Sequence, residues 1–455
     1  MNFDLLIKNA TTFVPENTTD LGKRSPLKKT QLDIGIRGGR IVDLGQLSSS
    51  NAEQVLDANH LVVLPGIIDS QVHFREPGLT HKEDIESGTR GALLGGITGI
   101  FEMPNTKPST TTVDLFKQKV TIAKNRSHTH FAFYAGAAAD NVELLNELEN
   151  QEFCSGIKVF MGSSTGTLLI EDDVLLEKVL KNAKRRVAVH CEDEFRLRER
   201  KSLLIPSSDG KIPVSLHPKW RDEITSLNAV KRLIYIAEKF QKKVHVLHVT
   251  CQEEVEFLAS YKNLASVEVL PQHLTLHAPD CYEKWGCKAQ QNPPIREKKH
   301  QEALWKALHN GVIDVIGSDH APHTLEEKSK DYPNTPSGMT GVQTLLPVML
   351  NHVNQGNLSL QKLTELLTEN VRDVFQLKNK GRVQIGFDAD FTLIDLNKER
   401  LIQNSWIASK SQWTIFDGLK VKGWPTHTIL KGKICMQDDE ILNPFCGNGF
   451  EFERN

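Results

Sequence analysis

Leu61-Val62-Val63-Leu64-Pro65-Gly66-Ile67-Ile68-Asp69-Ser70-Gln71-Val72-His73-Phe74-Arg75 is a strand-like apolar run, Leu61–Asp69, that passes directly into polar and titratable side chains. A parallel barrel carries its chemistry at the C-terminal ends of its strands, so this pattern reads as the first strand of such a barrel. Seven more β-branched runs follow: Gly96–Met103, Thr129–Ala135, Gly156–Met161, Arg186–His190, Lys243–Val249, Ser266–Leu270 and Val312–Gly317. Amphipathic patterns of helical period fit between most of them, at Lys82–Leu94, Val113–Lys124, Val142–Glu149, Asp172–Ala183, Asp222–Phe240, Glu253–Tyr261 and Glu297–His309. Strands separated by helices pair in parallel, and eight such units over about 260 residues predict a (β/α)8 TIM barrel. The connections Glu192 to Arg221 and Gln272 to Arg296 are too long for plain turns and predict binding loops.

The two ends of the chain read differently. Leu32 to Val42 is a strand, a Gly38-Gly39 turn and a second strand, and Thr428 to Cys435 repeats that logic around Gly432. Isolated hairpins are marginal in water, which predicts one small β-sandwich built from both termini. The expected division is 1–64 and 380–455 for the sandwich and 65–379 for the barrel. The polar stretch Leu325–Gly338 reads as a mobile surface loop.

Composition narrows the function classes. The chain has 455 residues, 39% of them hydrophobic, enough for a large core. Lys+Arg 55 against Asp+Glu 57 gives a net charge of -2, with no basic footprint for nucleic acid. No apolar run approaches the ~20 residues of a membrane span, and the N-terminus lacks the pattern of a signal peptide. Seven cysteines without a Cys-x-x-Cys pair fit a reducing compartment, so a cytoplasmic enzyme acting on a small molecule is expected.

The strand ends supply the candidate chemistry. His73 follows strand one, Lys158 lies within strand four, His190 and His248 end strands five and six, and Asp319 follows strand eight. Imidazole and carboxylate ligands at one barrel mouth suit zinc. A lysine facing a packed barrel is costly as a cation, and its neutral amine can add CO2 to give a carbamate. On this reading the Lys158 carbamate bridges two metals, His190 and His248 holding one and His73 and Asp319 the other. Each residue also has a plain alternative. A lone strand-end histidine is more often a hydrogen-bonded core residue, a lone buried lysine is more often ion-paired, Arg75 alone is a salt-bridge residue, and Asn105 after a proline can simply stabilise a turn. Other polar groups read as structural: His128 and His130 begin strand three at the wrong end, and His245 faces away from His248. His273 and His277 lie in the loop after strand seven, without an assigned role. Gly162-Ser163-Ser164-Thr165-Gly166 reads as a turn, since no Lys-Ser/Thr pair follows it.

The segments Pro65-Gly66-Ile67-Ile68-Asp69, Val72-His73-Phe74-Arg75-Glu76-Pro77-Gly78, Met103-Pro104-Asn105-Thr106, Asn292-Pro293-Pro294-Ile295-Arg296 and Ser318-Asp319-His320-Ala321-Pro322-His323 resemble those of the dihydroorotases, of the amidohydrolase superfamily, over essentially the whole chain. The resemblance implies reversible closure of N-carbamoyl-L-aspartate to L-dihydroorotate plus water, in the synthesis of UMP. It also implies that Arg75, Asn105 and His323 hold the substrate carboxylate, that Asn292 lines the ring, and that Asp319 is the general acid and base beside a metal-activated water. Where such sequences usually carry His-x-His, this chain has Gln71 before His73. An amide oxygen is a weaker ligand, so one zinc held tightly by His190 and His248 and a second, labile one are expected. A homo-oligomer (dimer or tetramer) is also expected. The alternatives are a hydantoinase or allantoinase, which would have no carboxylate for Arg75 to grip, and a non-catalytic partner of aspartate transcarbamoylase, which the nearly complete ligand set disfavours.

Overall fold

In the computed structural model, which describes residues 2–16, 25–49, 52–162, 168–204 and 212–453, the apolar run at 61–72 is cut in two at Gly66. Its first part belongs to a terminal sheet with β1 (Phe3–Pro15), β2 (Leu27–Arg37), β3 (Arg40–Gly45), β4 (Ala52–Asp57) and β5 (Val62–Pro65). Its second part, β6 (Ile67–Val72), opens the barrel. A side chain at Gly66 would meet Thr98 Oγ1 at 2.6 Å and Asp390 Cβ at 2.8 Å, so only glycine lets the chain cross between the sheets here. Both parts are apolar because both are covered on two faces, which is why the sequence reads them as one strand.

The barrel strands are β6, β7 (Ile97–Glu102), β8 (His130–Gly136), β9 (Cys154–Phe160), β10 (Val187–His190), β11 (Val244–Val246), β12 (Ala265–Val269) and β13 (Val315–Ile316). They are neighbours in chain order and pair in parallel. A parallel bridge between Val72 and His320, with His73 N–H donating to His320 O at 2.7 Å, ties the last strand's exit to the first strand's end. The eighth strand is shorter than the sequence run, Val312–Gly317, and β11 stops before His248. The β11 departure occurs where the chain turns out of the sheet to present His248 at the mouth, whereas the eighth strand loses residues 312–314 at its N-terminal end. Helices pack outside, as the period-3.6 patterns predict; Ile85–Leu94, for example, is capped by Asp84, whose Oδ1 accepts from Ser87 N at 2.8 Å.

The chain then returns to the terminal sheet through β14 (Phe391–Leu401), β15 (Lys420–Leu430), β16 (Lys433–Gln437) and β17 (Glu440–Ile441). All nine terminal strands form one hydrogen-bonded sheet, β14 pairing with β5, and Ile34, Ile36, Phe391 and Ile429 share one apolar cluster. Gly38 and Gly39, at φ 59 and 74, make the β2–β3 turn that the sequence predicts.

The two long connections lie together. The first carries helices Glu194–Leu204 and His217–Trp220, the second Pro271–Thr275 and Asp280–Trp285. They meet where His217 Nε2 lies 2.9 Å from Gln291 O and 3.0 Å from Asn292 Oδ1. Leu325–Gly338 is not the loose surface loop that its polar sequence suggests. Lys328, Tyr332 and Thr335 are buried, the Lys328 ammonium donating to Gln290 O at 3.1 Å and Pro336 O at 2.9 Å. The turn expected at 162–166 falls, apart from Gly162, outside the described residues. No helix among the described residues is long and apolar enough to cross a membrane.

Candidate functional site

His190 Nδ1 and His248 Nε2 face each other at 3.0 Å at the barrel mouth. On its far side, His190 Nε2 meets Glu192 Oε2 at 2.8 Å, and Arg221 grips the same carboxylate through Nε at 2.9 Å and Nη2 at 2.6 Å. Burial works against the charge on Glu192, but Arg221 and His190 hold its pKa well below the usual carboxylate value. An ionised Glu192 accepts the Nε2 proton of His190 and so leaves the Nδ1 lone pair aimed at His248. Burial lowers the pKa of both imidazoles, His248 the more strongly, and His248 Nδ1 is buried without a hydrogen-bond partner among the described residues.

Lys158, on β9, is 1% exposed, its ammonium 4.4 Å from the Phe160 ring centroid. Among the described residues no carboxylate pairs with it. Burial pushes its pKa down to about 7, against the attraction of Asp319 and Glu268, so near neutrality the free amine is available.

Across the mouth, His73 Nδ1 lies 2.6 Å from Asn105 Oδ1, and His73 Nε2 lies 3.1 Å from Asp319 Oδ1. With the amide oxygen accepting from Nδ1, Nε2 turns a lone pair toward the Asp319 carboxylate. Two electron-pair donors so opposed suit a cation, and burial lowers the pKa of His73 away from the imidazolium form. Gln71 Nε2 donates to Asp319 Oδ1 at 2.9 Å, and Gln71 Oε1 is buried with no partner among the described residues. Gln71 therefore braces Asp319 through its amide N–H, while its oxygen is the atom that could reach an ion.

Arg75 is 7% exposed and donates to Pro322 O at 3.2 Å, with Nη2 3.3 Å from His323 Nε2. No carboxylate pairs with it among the described residues, and burial lowers its pKa to about 10. His323 Nδ1 lies 3.1 Å from the Lys82 ammonium, which is itself paired with Glu327 at 2.9 Å. Asn105 uses its oxygen on His73, which leaves its N–H groups as donors. Asn292 is half-buried against His217. Arg75, His248 and Asp319 have φ of 66, 37 and 48, left-handed values that non-glycine residues hold only where their surroundings impose them.

The structure thus brings His73, Gln71 and Asp319 together, His190 beside His248, and Arg75 beside His323. Among the described residues no three His, Cys, Asp or Glu side chains form a ready cage. The donors occur as two opposed pairs, with Lys158 close enough to feel Asp319 and to influence both His190 and His248. The chemistry of these pairs fits divalent ions. His128 and His130 lie away from this mouth, His130 Nε2 meeting Asp390 Oδ1 at 3.1 Å. His245 is buried against Ser266, with Nδ1 2.8 Å from its Oγ.

Glu192, Arg221 and Glu268 are site residues that the strand-end pattern does not single out. Glu192 had a signal, since residues two apart on an extended chain share a side. Arg221, in the turn after the remote helix His217–Trp220, had none. Glu268, on β12, accepts from Ser70 Oγ at 3.1 Å and His248 N at 3.3 Å, and burial raises its pKa to about 8. His273 is buried against Gln291 with Nδ1 unpartnered.

Residues 62–435 match the amidohydrolase family. The chain is 33% identical over 423 residues to a protein of Methanosarcina acetivorans named dihydroorotase, covering 90% of this chain and 89% of that one. It is 35% identical over 412 residues to a dihydroorotase of Pyrococcus abyssi, covering 90% and 92%. Among solved structures, the L-hydantoinase (dihydropyrimidinase) from Arthrobacter aurescens is similar with a TM-score of 0.90 at 28% identity, covering 98% of this chain and 99% of that one.

Proposed function

Since the chain belongs to the amidohydrolase family, and within it to the dihydroorotases, we propose that it interconverts N-carbamoyl-L-aspartate and L-dihydroorotate as a cytoplasmic, zinc-dependent enzyme of UMP synthesis. The observation that carries this substrate is Arg75. A buried guanidinium held, among the described residues, by a carbonyl and an imidazole calls for an anion of planar, two-oxygen geometry, which a substrate carboxylate supplies. A hydantoin ring has no such group, and this favours dihydroorotate over the substrates of the structurally similar hydantoinase.

The residues suited to one ion are His190 through Nδ1 and His248 through Nε2, and those suited to a second are His73 through Nε2 and Asp319. Lys158 lies within reach of both pairs. Its neutral amine can add CO2, forming an N–C bond and releasing one proton, to give a carbamate with two oxygen ligands. A bound divalent ion would polarise the ring carbonyl and make water a nucleophile near neutral pH. Asp319 Oδ1 accepts from Gln71 and faces the His73 Nε2 lone pair, which leaves Oδ2 to take a proton from the attacking water and deliver it to the departing ring nitrogen. Arg75, with the Asn105 amide and His323, fixes the carboxylate; Asn292 lines the ring. Ring closure is the reverse, and acid favours it because a carboxylic acid must be converted back to an amide.

The test is to assay carbamoyl aspartate at mildly acidic pH and dihydroorotate at alkaline pH, beside Asp319→Asn. Both directions should fall by about 10²-fold or more in the variant. Equal activity would remove Asp319 from this role, and absence of both reactions in the metal-loaded wild type would remove the substrate.

A further inference from the structure

The N-terminal end of the barrel, opposite the histidines, holds a cluster that this chemistry does not use. A cavity of about 330 Å³ opens there beside the chain entering β9, β10 and β11, lined by Ser155, Lys184, Arg185, Arg186, Lys242 and Lys243, with Phe240 and Phe375 as an apolar wall. Five cations thus share a lining with one carboxylate, Asp373, which is already bonded to Arg372 Nε at 2.8 Å and Nη2 at 2.5 Å. Glu149, nearby, accepts from the backbone N–H groups of Lys184 and Arg185. Among the described residues none of the five cations has an acidic side chain as its ion-pair partner.

The contacts these side chains do make are with carbonyls. Arg186 donates to Val374 O and Val244 O, both at 3.0 Å, Arg185 to Cys154 O and Lys242 to Ala183 O. Helices Asp173–Asn182 and Glu223–Lys239 end beside this cavity, and cations at helix C-termini are favourable in themselves. That accounts for the carbonyl contacts. It does not account for Ser155, a residue of the same lining that is 3% exposed and whose hydroxyl is buried with no hydrogen-bond partner among the described residues. A buried hydroxyl left unmatched is costly, and one placed among cations suits an oxyanion that accepts from both. Lys242 is half-buried, and burial lowers its pKa to about 8 against the attraction of Glu149, with the Lys184 cation adding to the shift.

We propose that this cavity binds the phosphate groups of a small phosphorylated molecule, with the Ser155 hydroxyl and the Lys184, Arg186, Lys242 and Lys243 cations as donors and Phe240 against its apolar body. Several negative charges, rather than a single carboxylate, match five cations, and a guanidinium fork suits phosphate oxygens. The site lies at the far end of the barrel, so it is separate from the reaction proposed above.

Calorimetric titration of the metal-loaded protein at low salt with inorganic phosphate, pyrophosphate and ATP tests this. Saturable binding is expected. It should weaken at least about tenfold in Lys184→Glu/Lys243→Glu, whose side chains are exposed, while dihydroorotate hydrolysis is unchanged. Ser155→Ala should weaken binding severalfold without lowering the melting temperature, because it removes a hydroxyl that is unmatched in the free protein. Tighter binding of ATP than of pyrophosphate identifies a nucleotide, and equal binding identifies the phosphate groups alone. No saturable binding of any probe at millimolar concentration, or equal affinity in the double variant, overturns the proposal.

Discussion

At the scale of single residues the site is governed by which nitrogen of each histidine carries a proton. Glu192, ionised and clamped by Arg221, assigns the proton of His190 to Nε2 and so the lone pair to Nδ1. Glu192→Gln removes that assignment, because an amide can donate as well as accept. Zinc affinity measured against a chelator should fall about 10–100-fold; unchanged affinity would show that the clamp has no part in ligation. Gln71 acts in the opposite sense on the other pair. Its oxygen is a poorer ligand than imidazole, so the wild type should retain one zinc firmly through dialysis, and Gln71→His should raise the retained metal toward two per chain. Two ions retained by the wild type would refute this. Arg75→Ala should weaken transition-state and substrate binding by about 2–5 kcal/mol, read mainly in KM for carbamoyl aspartate. An unchanged KM would point to a different ring as substrate. His73, His190, His248 and Asp319 were legible because each ends or follows a strand run, and Lys158 because a lysine within a β-branched strand is conspicuous. Arg221 was not legible: it reaches Glu192 only after 29 residues of chain have folded back, and no local pattern records that return.

At the scale of elements, the connections over the mouth are held by buried polar groups. Lys328 anchors Leu325–Gly338, and burial lowers its pKa to about 7 from the ordinary 10.5. Between those values the unfolded chain binds a proton that the native state lacks, so this lysine makes stability rise with pH through that window. Below about 7 both states are protonated and the cost of burying the cation is felt in full. Lys328→Met should flatten that part of the stability–pH curve relative to wild type in chemical unfolding; identical slopes would place the ammonium in water. The sequence misread this segment because charge and proline usually mark a solvated loop, whereas here the ammonium is matched by two carbonyls. The strand and helix runs were legible within a few residues because burial on both faces makes β-branched runs and packing on one face makes a 3.6 period. Strand six was overextended because Leu247 and Val249, after it, are buried outside the sheet, and strand eight because Val312 and Ile313 are buried before it begins.

At the scale of the whole molecule, the terminal sheet and the barrel are joined through a buried charge cluster. Asp390 accepts from His130 Nε2 at 3.1 Å and from the Lys380 ammonium at 2.5 Å, and Lys380 also pairs with Asp388 at 2.7 Å. Asp390→Ala leaves a buried lysine short of a partner and should destabilise the protein by about 3–5 kcal/mol, measured by denaturant unfolding. A loss under 1 kcal/mol would mean that apolar packing alone joins the two parts. The barrel and the pairing of the two termini were legible from periodicity, whereas the crossing at Gly66 was hidden in one unbroken apolar run. The central claim is that His190 and His248, with Lys158, hold a divalent ion at the barrel mouth. Anomalous diffraction at the zinc edge from crystals of the metal-loaded protein tests it most directly. The account predicts a peak between His190 Nδ1 and His248 Nε2, about 2.0–2.1 Å from each; a zinc-loaded crystal with no peak between those nitrogens would contradict it.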